Sequence, residues 1–112
     1  MVETELQKVT ATVVGKLVEL LGDKINKIIL YGSYARGDFD SESDIDIMIL
    51  INGTEEDVIR YRKDVRRIAN DVGLDNDILV SLLIKPRQFF EEWSDVIVFY
   101  KNVVNEGVTL YE

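Results

Sequence analysis

Leu30-Tyr31-Gly32-Ser33-Tyr34-Ala35-Arg36-Gly37-Asp38-Phe39-Asp40-Ser41-Glu42-Ser43-Asp44-Ile45-Asp46-Ile47 is the stretch on which the reading of this chain turns. Asp44 and Asp46 stand two residues apart in a run that becomes fully apolar up to Ile51, the pattern of a strand buried at its far end. On a strand such a pair projects from one face, with Cα atoms about 6–7 Å apart, while Ile45 and Ile47 pack on the other. Two like charges held that close repel, or one of them keeps its proton, unless a cation sits between them. A hard divalent ion such as Mg²⁺ suits two carboxylates and leaves positions for phosphate oxygens and water. Gly32 ends the preceding apolar run, Ile25 to Tyr31, and lets backbone approach a ligand without a Cβ in the way. A short helix opening at Ser33 presents free N–H groups, which suit a phosphate, and the Ser33 hydroxyl adds a donor. Arg36 supplies a cation to a phosphate or holds the loop, and Gly37 turns the chain back.

Outward from this centre the periodicities are clear. Leu6, Val9, Val13, Leu17 and Leu20 recur at helical spacing over residues 3–21, with Thr4 and Gln7 as a capping-box pattern and Gly22 as the stop. Thr54 caps a second helix through Val72, which Gly73 ends. Asp77 to Ile84 reads as a third strand. Pro86 suits the start of a helical segment from Arg87 to Asn105, broken near Ser94-Asp95, and Gly107 to Tyr111 forms a short edge strand. The expected fold is a single α/β (α+β) domain over residues 1–112, a small mixed sheet with helices packed on it.

Composition removes whole classes of chemistry. With no cysteine and no histidine there is no disulfide, no thiolate site and no imidazole ligand or base. Any metal is therefore held by oxygen. A formal net charge of −8 argues against a dedicated nucleic-acid binder, because such a chain repels phosphate backbones. No run approaches the roughly 20 apolar residues that cross a bilayer. The start, Met1-Val2-Glu3-Thr4-Glu5, has no basic segment followed by an apolar one, so a cytoplasmic protein is expected.

Gly32-Ser33, ten intervening residues and then Asp44-Ile45-Asp46 resemble the signature of the DNA polymerase β-like nucleotidyltransferase superfamily. Gly-Ser-Tyr-Ala-Arg-Gly and Ser-Asp-Ile-Asp-Ile, with the closing Asn105 to Tyr111, are similar to its minimal nucleotidyltransferase branch. The resemblance implies a polymerase β palm-like fold and transfer of a nucleoside monophosphate, AMP from ATP or another NTP, onto an acceptor hydroxyl. It implies two Mg²⁺ ions held by Asp44, Asp46 and a third carboxylate on a later strand, with Gly32, Ser33 and Arg36 on the nucleotide. Asp77 is the candidate for the third, with Asp75 the runner-up. A register that put Ser81 opposite Asp44 would leave the site without its third ligand. Minimal members of the family are often antitoxins that modify a HEPN-type ribonuclease toxin with AMP. A chain this short needs the acceptor-binding half from such a partner or from a second copy of itself.

Plainer readings account for the rest. Asp38, Asp40 and Glu42 coat an exposed loop; as an EF-hand they fail, with Ser43 where glycine is needed and Ile49 where glutamate is needed. Arg60, Arg62, Lys63, Arg66 and Arg67 form the solvated side of the second helix, and Phe89, Phe90 and Trp93 read as core or as a face for a dimer or partner. The rival to an active transferase is a binding module that keeps the fold and acts by contact alone.

Overall fold

The computed structural model describes residues 3–112; Met1 and Val2, where the expected acidic start begins, lie outside the described residues. Helix α1 (Glu3–Leu21) leads through a short 3-10 turn at Gly22–Lys24 into β1 (Ile25–Tyr31). One helical turn, α2 (Ser33–Arg36), and a loop precede β2 (Ile45–Ile51). Then follow α3 (Glu55–Asn76), β3 (Val80–Pro86), α4 (Arg87–Trp93), α5 (Val98–Glu106) and β4 (Val108–Tyr111). The sheet order is β3-β2-β1-β4. β1 runs antiparallel to both β2 and β4, and β2 runs parallel to β3, so the sheet is mixed as expected.

β2 is apolar nearly throughout because both faces of the sheet are covered. Ile45, Ile47, Ile49 and Ile51 point to one face and pack with Val13 and Leu17 of α1 and Val58, Val65 and Val72 of α3. Met48 and Leu50 point to the other, with Phe90 of α4 and Tyr100 and Val103 of α5. The alternation of two per residue pair thus assigns Asp46 to the second face, beyond the end of that smaller core. Among the described residues no helix is long and apolar enough to cross a membrane.

Three expectations need correction. Thr4 lies inside α1 and not at its cap. The capping box forms instead at α3, where the Thr54 hydroxyl accepts from Asp57 N–H and the Asp57 carboxylate accepts from Thr54 N–H. Gly73 does not stop α3, which continues to Asn76. It is glycine because a Cβ there would stand 2.7 Å from the Ile78 carbonyl oxygen, where the chain folds back against the helix. Backbone cannot swing aside as a side chain can, so Gly73→Ala should destabilise the protein by about 1–3 kcal/mol in chemical denaturation. Finally, of the aromatic trio only Phe90 is buried; Phe89 and Trp93 are each more than two-fifths exposed. They lie on the solvent side of α4, where Phe89 packs against Trp93 and, edge to face, on Tyr100.

Candidate active site

The site is built at the end of the sheet where β1 finishes and β2 and β3 begin. Antiparallel pairing sets Tyr31 opposite Asp46, and parallel pairing sets Ser81 beside Asp46 on its other flank. All three share the second face. Asp44 precedes β2 directly, and the Ile45 N–H that follows it donates to the Leu79 carbonyl at 3.0 Å, tying this entrance to β3.

Gly32 is the hinge of the arrangement. Its backbone sits at φ 78°, ψ −158°, a conformation that side chains disfavour. A Cβ at this position would stand 2.5 Å from Asp46 Oδ2. Both constraints ask for glycine, one from the backbone and one from the carboxylate packed against it. The Gly32 carbonyl accepts from the N–H groups of Ala35 and Arg36, and Ser33 accepts from Gly37, so the single turn of α2 is closed. Ser33 and Tyr34 open that turn beside the carboxylates, and the ring of buried Tyr34 stacks on Phe39 of the following loop at 4.4 Å.

The electrostatics follow from this packing. Partial burial, and then the charge of Asp44, raise the Asp46 pKa above the ordinary carboxylate range, while Arg36 opposes the shift. Tyr31 is pushed up to about 12, by burial first and then by the Asp46 charge. The protein on its own therefore holds Asp46 in a place where a negative charge is costly, which is the condition that a bound cation relieves.

A carboxyl with a raised folded pKa contributes stability below the ordinary aspartate pKa and loses it as pH rises through the raised value. Without metal, Asp46→Asn should therefore melt higher than wild type at pH 7, and the gap should close as pH falls through the aspartate range. Thermal denaturation in EDTA across that range measures it.

Arg36 stands at the rim. Its Nε donates to Asp38 Oδ2 at 3.2 Å and its Nη1 to Glu106 Oε2 at 3.3 Å, which raises its own pKa, through Asp38 first. A cleft of about 190 Å³ between β1 and α5 is lined by Tyr31, Gly32, Arg36, Phe99, Asn102 and Glu106, among others. Tyr31 and Phe99 meet there edge to face at 5.4 Å.

Of the residues expected at the site, Gly32, Ser33, Asp44 and Asp46 come together and Arg36 borders them. Asp77 does not open β3, and this is the main correction. It takes a left-handed conformation at φ 51° as the C-cap of α3, with Asp75 in the last turn of the same helix. The Asp77 N–H donates to the Gly73 carbonyl, and the Asn76 side chain donates to the Val72 carbonyl at 2.8 Å. These bonds hold the helix through Asn76 and delay the strand to Val80. Among the described residues no three acidic side chains gather as a metal site. Asp38, Asp40 and Glu42 are exposed, and the Asp40 carboxylate is engaged within its own loop by Glu42 N–H.

Sequence reasoning missed Tyr31, Phe99 and Glu106. Tyr31 carries a signal, since it directly precedes Gly32 on a strand of known parity. Glu106 lies 70 residues from Arg36 and carries none.

Comparison with known proteins agrees with this geometry. The sequence matches the nucleotidyltransferase domain family over residues 11–107. It is 37% identical over 81 residues to MJ0141 of Methanocaldococcus jannaschii, covering 72% of this chain and 80% of that protein. MJ0604 of the same organism is 35% identical over 91 residues, covering 79% and 80%. Both are named as protein adenylyltransferases. Among solved structures, a toxin–antitoxin crystal structure with AMP-PNP superposes with a TM-score of 0.59 at 27% identity, covering 88% of this chain and 70% of that one. The toxin–antitoxin MntA-HpeT, at 24% identity and a TM-score of 0.57, shares the fold over 88% of this chain and 69% of its own. With the Gly-Ser turn set against an Asp-x-Asp strand in a mixed four-stranded sheet, this chain belongs to the nucleotidyltransferase domain family and is a nucleotidyltransferase.

Proposed function

We propose that the protein transfers AMP from ATP to a hydroxyl on a partner protein, in a Mg²⁺-dependent reaction, as the antitoxin of a toxin–antitoxin pair. The observation that carries the chemistry is Asp46, packed so close to Gly32 that no other residue fits there, with Asp44 raising the cost of its charge. The choice of donor and acceptor is supported by relatives named as protein adenylyltransferases and by a structural neighbour that is a toxin–antitoxin complex with AMP-PNP. A HEPN-type toxin is the partner that the sequence resemblance implies.

Asp44 and Asp46 would hold the cation, through oxygens of the kind hard divalent ions prefer. When bound, such an ion would supply charge neutralisation at the phosphates and lower the pKa of the acceptor hydroxyl. The other tasks fall to the chain itself. Gly32 and Ser33 bring backbone N–H groups and a hydroxyl to the triphosphate, and the absence of a Cβ keeps the approach short. Arg36, drawn back by Asp38 and Glu106, sets a positive charge beside the leaving phosphates. The acceptor oxygen bonds to the α-phosphorus, the bond to the pyrophosphate oxygen breaks, and the hydroxyl proton passes to solvent. In such transfers positioning and charge neutralisation supply most of the rate.

The test is incubation with ATP labelled at the α-phosphate, Mg²⁺ and a helical HEPN-type toxin, read by label on protein. Label on the toxin tyrosine, serine or threonine is expected. Label on added RNA alone, or on nothing, overturns the assignment of the acceptor. A binding module that neutralises its partner by contact predicts tight complex formation with no label at all.

A further inference from the structure

The residue that stands where the third ligand belongs is Ser81. Parallel pairing aligns Asp46 with Ser81 and Met48 with Leu83. Met48 packs in the smaller core and Leu83 packs against it, so Ser81, two residues before Leu83, shares the face of Asp46. Its side chain is exposed at the open end of the site. The nearest acids in sequence, Asp75 and Asp77, are held on the end of α3, and no acidic trio forms among the described residues.

The donor set therefore fits one divalent ion and does not fit two. Two carboxylates balance the charge of a single such cation. A second ion would have to be shared by the same pair, beside a neutral hydroxyl. We infer that Ser81 makes this a single-cation transferase site, and that a carboxylate at this one position creates the second cation site. The inference rests on Asp44 and Asp46 being ligands, as proposed above.

Titration calorimetry with Mn²⁺, in the presence of α,β-methylene ATP (which cannot release pyrophosphate), counts the ions without asking for turnover. Wild type should bind one ion per chain, Ser81→Asp two, and Ser81→Asn one, the neutral control of similar size. The added carboxylate should also tighten the first ion about tenfold, since affinity for such ions follows the number of charged ligands. Two ions on wild type, or one ion on a folded Ser81→Asp, overturns the role of Ser81. An Asp46→Asn variant that binds one ion as tightly as wild type overturns the carboxylate pair instead. The two failures are thus told apart. Exposure of Ser81 makes Ser81→Asp a mild change for the fold, and circular dichroism verifies that it is folded.

Discussion

Asp44→Asn and Asp46→Asn should each reduce transfer by roughly a thousandfold or more, and neither should unfold the protein. Charge stabilisation by a catalytic cation contributes several kcal/mol to the barrier, and about 1.4 kcal/mol corresponds to each factor of ten. Asparagine keeps the size of the side chain and one oxygen, but it loses the charge that would hold the ion. Asp46 is half-buried beside a second carboxylate, so removing its charge relieves the apo fold. Lost activity combined with a higher melting temperature in EDTA separates a functional charge from a structural one. A thermal shift on adding Mg²⁺ with ATP should appear in wild type and shrink in both variants, because ligand that binds only the folded state raises its stability. Activity measured with labelled ATP that is equal in wild type and in both variants would remove the pair from the mechanism.

Gly32→Ala carries the second large effect, and it acts through geometry alone. The added methyl group meets the Asp46 carboxylate at 2.5 Å, and the backbone leaves a region that only glycine occupies readily. Backbone strain of this kind costs of order 1–3 kcal/mol. Relief requires the Asp46 side chain to turn away or the β1–α2 corner to move, and either displaces a reacting group. A misplacement of about 1 Å at such a site costs on the order of a hundredfold in rate. We expect at least that loss of transfer, with a drop in denaturation midpoint that Asp46→Asn does not show. Gly22, also at positive φ but with open space around it, is the control: Gly22→Ala should lower stability modestly and leave transfer intact.

What the sequence made legible is the part encoded locally. The parity of Asp44 and Asp46 in an apolar run, the helical stripe of α1 and the break between α4 and α5 are short-range patterns. Each appears in the fold within a residue or two. The candidate site could be read because its two proposed halves, the Gly-Ser turn and the acidic pair, lie on consecutive strands joined by one short loop. The third ligand failed for the same reason in reverse. Its place depends on where α3 ends and on how β3 is registered against β2, and neither is written in a period. Asp77 looked like the first residue of a strand, but Asn76 and Asp77 spend their hydrogen bonds on closing the helix. Gly73 looked like a stop and is a point of close approach instead. The rim, where Arg36 meets Glu106 and Tyr31 meets Phe99, depends on how α5 folds back over β1, which no local signal encodes.

The most direct measurement is a crystal structure grown with Mn²⁺ and α,β-methylene ATP, with data collected to locate manganese by anomalous scattering. The account predicts a manganese peak between the carboxylates of Asp44 and Asp46, with the triphosphate lying against Gly32 and Ser33. A manganese peak away from both carboxylates, or a nucleotide bound elsewhere on the fold, would contradict it.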